Sequence, residues 1–188
     1  MALASIPGFT LTAPPGNGSP AVVHWPALVS AGRIRQELHM DDSRTDVPSS
    51  AGPYDPVQVT PPETKVPPVP GGPTVQAPLG RAFATRAGDK GGNANLGVWA
   101  QTPEAYAFLD QFLTTEKLKE LLPDCAFYDI DRYRLPNLLA VNFYIRGLLG
   151  EGVAASVRSD PQAKTLGEYL RAKIIEMPAS ILVVKENE

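Results

Sequence analysis

Half of this chain's prolines sit in less than a fifth of its length. Residues 46–80 hold 10 of the 20 prolines in 35 positions, whereas the 108 residues that follow hold 5. Proline has no N–H for a helix or a sheet ladder, so the dense tract is a poor core and a natural divider. Its densest part, Pro61 to Pro73 (Pro-Pro-Glu-Thr-Lys-Val-Pro-Pro-Val-Pro-Gly-Gly-Pro), reads as an extended polyproline spacer. The PxxP pattern is cheap in any such tract, so docking is the less economical reading. Three regions result: an extension over 1–45, a proline-rich linker over 46–80 and a domain over 81–188. The extension is too short and irregular to bury a core alone, and its apolar run Ala21 to Trp25 reads as one or two strands. Phe9, Leu11, Val22, Val23, Trp25 and Leu28 have no long element to pack on. Exposed together, they would form the kind of patch that marks an interface with another polypeptide.

Charge excludes several function classes. There are 17 Lys and Arg against 20 Asp and Glu, with no basic stripe, so nucleic acid is not an expected partner. No apolar run reaches membrane-spanning length, and the N-terminus lacks the charged segment and apolar core of a signal peptide. A soluble cytoplasmic protein is expected, and the single cysteine, Cys125, fits a reducing compartment.

Within 81–188, residues 81–86 alternate as a strand, and residues 96–101 give a second one. Thr102 followed by Pro103 and Glu104 is a helix start, and Tyr106, Leu109, Phe112 and Leu113 keep helical spacing. A further turn runs from Thr115 to Leu121. Residues 126–134 alternate as a strand. Residues 138–149 are almost continuously apolar; their length and terminal glycines favour a buried helix, with a strand as the alternative. Residues 153–158 read as a strand, and residues 165–175 as an amphipathic helix capped by Thr165. Helix and strand in this order, without regular βαβ repeats, predict a compact α+β sandwich.

The chemically densest stretch is Thr85 to Gly97, Thr-Arg-Ala-Gly-Asp-Lys-Gly-Gly-Asn-Ala-Asn-Leu-Gly. Glycines allow backbone N–H groups to face a ligand, and Arg86 and Lys90 add positive charge. Such a block binds an anion or forms an elaborate turn, and composition does not choose between them. It is neither a P-loop, because Gly91 follows Lys90, nor a dinucleotide loop, because Gly88, Gly91 and Gly92 miss that spacing. Asp89 is a general base if desolvated; otherwise it pairs with Lys90 or Arg86.

Other candidates are weaker. His24 and His39 lack any Cys/His spacing, so no metal site is expected. His24, beside Trp25 and Pro26, is a candidate contributor to a site on a partner domain. Cys125 has no local activator, and no Gly-Xaa-Ser-Xaa-Gly elbow occurs. Asn142 and Arg146 share a face if their segment is helical, as interior anchors or as site residues.

The block Arg86-Ala-Gly-Asp-Lys-Gly-Gly-Asn-Ala-Asn-Leu-Gly resembles the Arg-Ser-Gly-Asp-Lys-Gly-Xaa-Xaa-Ala-Asn-Ile-Gly signature of the acyclic terpene utilisation protein A (AtuA) family. The resemblance continues through Arg132-Tyr-Arg-Leu-Pro-Asn-Leu, Asn142-Phe-Tyr-Ile-Arg-Gly-Leu-Leu-Gly, Gly152-Val-Ala-Ala-Ser-Val-Arg-Ser-Asp and Lys164-Thr-Leu-Gly, spanning about 81–178. It implies a ferredoxin-like fold. Pro7-Gly-Phe-Thr-Leu-Thr-Ala-Pro-Pro-Gly and Val23-His-Trp-Pro-Ala-Leu-Val are similar to the end of the family's large N-terminal domain. The resemblance therefore implies a C-terminal part or small subunit, working in a hetero-oligomer with a large subunit that carries that domain. The family is associated with bacterial breakdown of branched and terpenoid acids as acyl-CoA thioesters. This implies a coenzyme A thioester or related carboxylate as substrate, with a lyase or hydratase reaction. Asp89 and Lys90 would then be catalytic, and Arg86, Gly91, Gly92, Asn93 and Asn95 would bind substrate. The alternative is a non-catalytic module that stabilises the large subunit. One departure stands out: many members carry Ala-Gln-Gly-Lys or Ala-His-Gly-Lys where this chain has Pro161-Gln-Ala-Lys164.

Overall fold

A computed structural model describes Pro20, Val22, residues 26–48 and residues 64–182. The chain divides into two units, one covering residues 25–63 and the other containing 64–182. The expected strand at 21–25, with His24, lies outside the described residues except for Val22.

The first unit holds a hairpin that the sequence reading left irregular. Strands β1 (Gln36–Met40) and β2 (Ser43–Val47) pair antiparallel across a two-residue turn, Asp41–Asp42. Asp41 takes the left-handed φ of 50° that such a tight turn favours and that an aspartate tolerates. The register places Leu38 and Met40 on one face with Val47, and Glu37 and His39 on the other with Arg44 and Asp46.

The second unit opens with strand β3 (Thr74–Pro78) inside the tract assigned to the linker. Among the described residues β3 pairs solely with β8 (Ile174–Pro178), and prolines at the rim of a two-stranded sheet interrupt no second ladder. A short 3₁₀ turn, Leu79–Arg81, leads into β4 (Phe83–Lys90) and β5 (Asn93–Ala100). Helices α1 (Pro103–Phe112) and α2 (Thr115–Leu121) follow, then β6 (Ile130–Leu135), β7 (Ala140–Ile145), α3 (Leu166–Arg171) and β8.

The main sheet has the order β4-β5-β7-β6 and is antiparallel throughout. β5 and β6 are parallel to each other, joined through α1 and α2, with β7 inserted between them. This is the split βαβ arrangement of a ferredoxin-like α+β sandwich. One sheet face buries Leu96 and Val98 of β5 with Val141, Phe143 and Ile145 of β7. Tyr106, Leu109 and Leu118 of the helices complete that core.

The helix starts match the sequence reading. Thr102 Oγ1 accepts from the Ala105 N–H and Thr114 Oγ1 from the Lys117 N–H, each cap contributing about 1 kcal/mol. Four elements differ. Residues 138–149 contain strand β7 rather than a helix. The deciding signal is period two: Val141, Phe143 and Ile145 go inward, while Ala140, Asn142 and Tyr144 do not. Residues 153–158 have no partner strand among the described residues and instead turn back, with the Ala155 and Ser156 N–H groups donating to Gly152 O. The expected 165–175 helix ends at Arg171, because Ile174 and Ile175 pair with β3. Thr165 holds the N-cap position, as expected, but its side chain does not cap the helix; Thr165 Oγ1 donates to Asp160, whose carboxylate also accepts the Lys164 and Thr165 N–H groups. The strand expected over 126–134 begins at Ile130, after a 3₁₀ turn at Pro123–Cys125.

Candidate ligand-binding face

The glycine-rich block is a β-hairpin. β4 and β5 pair residue for residue from Phe83↔Ala100 to Lys90↔Asn93, which leaves only Gly91 and Gly92 in the turn. β5 lies between β4 and β7, so its backbone groups are used in ladders and do not turn toward a ligand. Chemistry in this block therefore belongs to side chains.

Strand alternation separates the two expected catalytic residues. Asp89 shares a row with the buried Ala94, on the helix side of the sheet; Lys90 shares one with Asn93, on the other side. The pairing expected for Asp89 is not the one formed. Its Oδ1 stands 3.8 Å from Lys164 Nζ, while Lys90 Nζ folds back to donate to the Asp89 main-chain oxygen at 2.9 Å.

Gly91, Gly92 and Asn93 build the turn. Gly91 has φ of 63°. The Leu149 N–H donates to Gly92 O at 2.9 Å, and a Cβ on Gly92 would run into Gly150 O. Asn93 joins both sides: Oδ1 accepts the Gly147 N–H at 2.8 Å, and Nδ2 donates to Tyr144 Oη at 2.7 Å. The chain after β7 is thus laced to the hairpin tip.

The sheet face away from the helices carries the remaining candidates in rows. Gly88, Asn95, Tyr144 and Asp131 form one, and Arg86, Gly97, Asn142 and Tyr133 form the next. Asn95 Nδ2 donates to Asn142 Oδ1 at 3.3 Å. Arg146 pairs with Asp131 and lies over the Tyr144 ring at 5.5 Å. Arg86 is exposed and makes no ion pair or side-chain hydrogen bond among the described residues. A Cβ on Gly88 would fall 3.2 Å from Lys164 Nζ and 3.9 Å from Asn95 Oδ1, so Gly88 makes room for that ammonium beside Asn95. Arg86, Asn95, Asn142, Tyr144 and Lys164 therefore gather in one region. Sequence reasoning missed the part of Tyr144, whose signal is its alternation with Asn142, and the part of Asp160, an acid just before a helix start. Asn142 and Arg146 stay on one face, through strand rather than helix periodicity.

Two further features lie elsewhere. Arg132 Nε donates to Leu113 O and its Nη2 to Asp110 O and Oδ1, closing the open carbonyls at the end of α1. Arg134 binds the same carboxylate through two donors. Burial pushes the Asp110 pKa up, but the hydrogen bonds from Arg134 and Arg132 outweigh it and hold it below the ordinary carboxylate value. Cys125 is fully buried, and burial raises its thiol pKa to about 11, which leaves it protonated and unreactive at neutral pH. His39 contacts Glu37 at 3.2 Å in the first unit. Among the described residues no group of three or more His, Cys, Asp or Glu could hold a metal ion.

A small antiparallel sheet with its helices on one side, its other side open and polar, is a ferredoxin-like sandwich. The chain belongs to the AtuA ferredoxin-like domain family, whose model matches residues 77–176, more than half of its length. No curated protein and no solved structure matches it. No helix among the described residues is long and apolar enough to cross a membrane.

Proposed function

We propose that this protein is the C-terminal module or small subunit of an AtuA-like enzyme acting on an acyl-CoA-type or carboxylate substrate as a lyase or hydratase. One observation carries the reading. Blocks far apart in sequence, around Arg86, Asn95, Asn142 and Lys164, meet on one polar sheet face with two cations and two amides. Guanidinium, ammonium and amide donors are the groups that hold a carboxylate or a developing oxyanion. A large subunit with the family's N-terminal domain supplies the rest of the active site in this reading.

The non-catalytic alternative, an assembly module, is favoured by a different feature. The β1–β2 hairpin has Leu38, Met40 and Val47 on one face, each at least 41% exposed, and an isolated hairpin is marginal in water. It would gain stability against a partner's apolar surface.

One experiment separates the two. The chain is co-purified with a protein carrying the large domain, and acyl-CoA turnover is measured for the wild type and for Arg86→Ala, Asp89→Asn and Lys90→Ala. Loss of turnover in Arg86→Ala with assembly intact supports the catalytic reading. Full turnover and normal assembly in all three variants reject it in favour of the assembly module.

A further inference from the structure

Charge divides the open sheet face between its two edges. Cations stand on the β4 edge: Arg86 and Lys90 in the strand, and Lys164, whose Nζ lies over Gly88. Acids stand on the β6 edge: Asp131 in the strand and Asp129 just before it, where the Arg146 N–H continues the ladder by donating to Asp129 O. Arg146, the cation nearest those acids, is already paired with Asp131. Arg86, Lys90 and Asp129 are exposed and form no ion pair among the described residues. Side-chain size follows a matching rule. Within a row, small positions mirror larger ones across the line between β5 and β7: Ala84 and Leu135, Ala140 and Trp99, Gly97 and Asn142, Gly88 and Asp131. Trp99 is 38% exposed and Tyr133 50%, and aromatic residues with arginine are what the buried centres of interfaces favour.

We propose that this face docks on the same face of a second copy of this chain, across a twofold axis that runs along the strands between β5 and β7. Such an axis keeps each row opposite itself and exchanges β4 with β6 and β5 with β7, so every contact is made twice. Trp99 then meets the partner's Ala140, and Ala84 meets the partner's Leu135. Arg86 lies against the ring of the partner's Tyr133, a cation–π pair. Lys164 faces the partner's Asp131, and Lys90 faces the partner's Asp129. Like charges stay at opposite edges, so the face complements itself. Four strands about 4.8 Å apart, with about 3.4 Å per residue, present about 450 Å² a side. The two copies therefore bury about 900 Å², the range of weak and reversible contacts. This is also the face on which Proposed function places the substrate. A second copy and a large subunit would compete for it, and neither proposal rests on the other.

The test is sedimentation equilibrium of the full chain. It should show a reversible monomer–dimer equilibrium with a dissociation constant on the order of 10–100 µM, weakened by added salt. Lys90→Asp alone and Asp129→Lys alone should each weaken the dimer by about 10-fold, because each sets like charges face to face at two places. An equimolar mixture of these two variants should recover the wild-type affinity, since in the mixed pair the reversed charges face each other. Trp99→Ala should also weaken the dimer by about 10-fold. Unchanged amide dispersion will show that each variant folds. A monomer at every concentration would overturn the proposal. So would a dimer indifferent to the charge reversals, or a mixture that fails to recover affinity. A monomer of Trp25→Phe, which keeps Trp99 as its one tryptophan, whose fluorescence resists acrylamide would also overturn it and would put residues 1–25 over the face instead. None of these outcomes alters the turnover assay in the assembled complex, which decides the catalytic reading separately.

Discussion

Arg132 reaches from strand β6 to the end of helix α1 and binds Asp110 twice, at its carbonyl oxygen (2.8 Å) and at its carboxylate (2.9 Å). One guanidinium thus terminates a helix and neutralises a shielded acid together, and Arg134 closes the cluster from the adjacent inward position of the same strand.

Stability should fall in acid through Asp110. Its pKa is lowered in the folded protein, so its contribution is fully present above the ordinary carboxylate range and is lost as pH falls through the lowered value. Asp110→Asn should cost about 2–3 kcal/mol at neutral pH, because both arginines lose their anion. Urea unfolding of the two proteins should give curves that converge as the pH drops well below about 4. A constant gap down to strong acid would show that the charge is not what stabilises the cluster.

The two turn glycines should respond differently. Gly91→Ala carries the left-handed penalty of about 1–2 kcal/mol. Gly92→Ala forces the Gly150 main chain away and breaks the Leu149 hydrogen bond, so it should cost more, about 3 kcal/mol. Thermal unfolding ranks them, and the reverse order would mean that the 147–152 turn yields readily.

Truncation should locate the true start of the domain. A fragment beginning before Thr74 keeps β3 and should fold, whereas one beginning at Arg81 strips β8 of its only partner among the described residues. The shorter fragment should melt lower or aggregate through the bared edge. Equal melting temperatures would show that β3 adds nothing.

Cys125 should be silent. With the thiol buried and its pKa near 11, an aromatic disulfide reagent at pH 8 should label the native protein only as fast as it opens. Added denaturant should accelerate labelling steeply. Rapid stoichiometric labelling without denaturant would contradict the packing around the 3₁₀ turn Pro123–Cys125.

Local signals were legible in the sequence where they act locally. Thr102-Pro103-Glu104 is read correctly because a cap involves neighbours within one turn. The family blocks also contain the residues that gather on the candidate face. What the sequence hid depends on distant partners. Residues 174–175 look helical until β3 is there to pair with them, and residues 140–145 look apolar throughout apart from Asn142 until the helices define which face is inside. Asp89 gives no hint that its counter-ion lies 75 positions away at Lys164. The Ala163 position is a further case. It adopts φ of 52°, a left-handed conformation that suits glycine better than alanine, and nothing in the sequence around Lys164 announces that backbone.

The pairing of β3 with β8 brings Thr74 alongside Pro178, so the domain's entrance and exit are neighbours. A body closed by such a clasp can be spliced into a longer polypeptide, or carried by a separate one, with little change to its interior. Its two doorways would also pull together: tension on either flank loads the same five rungs, and the clasp would have to yield before the main sheet feels the force.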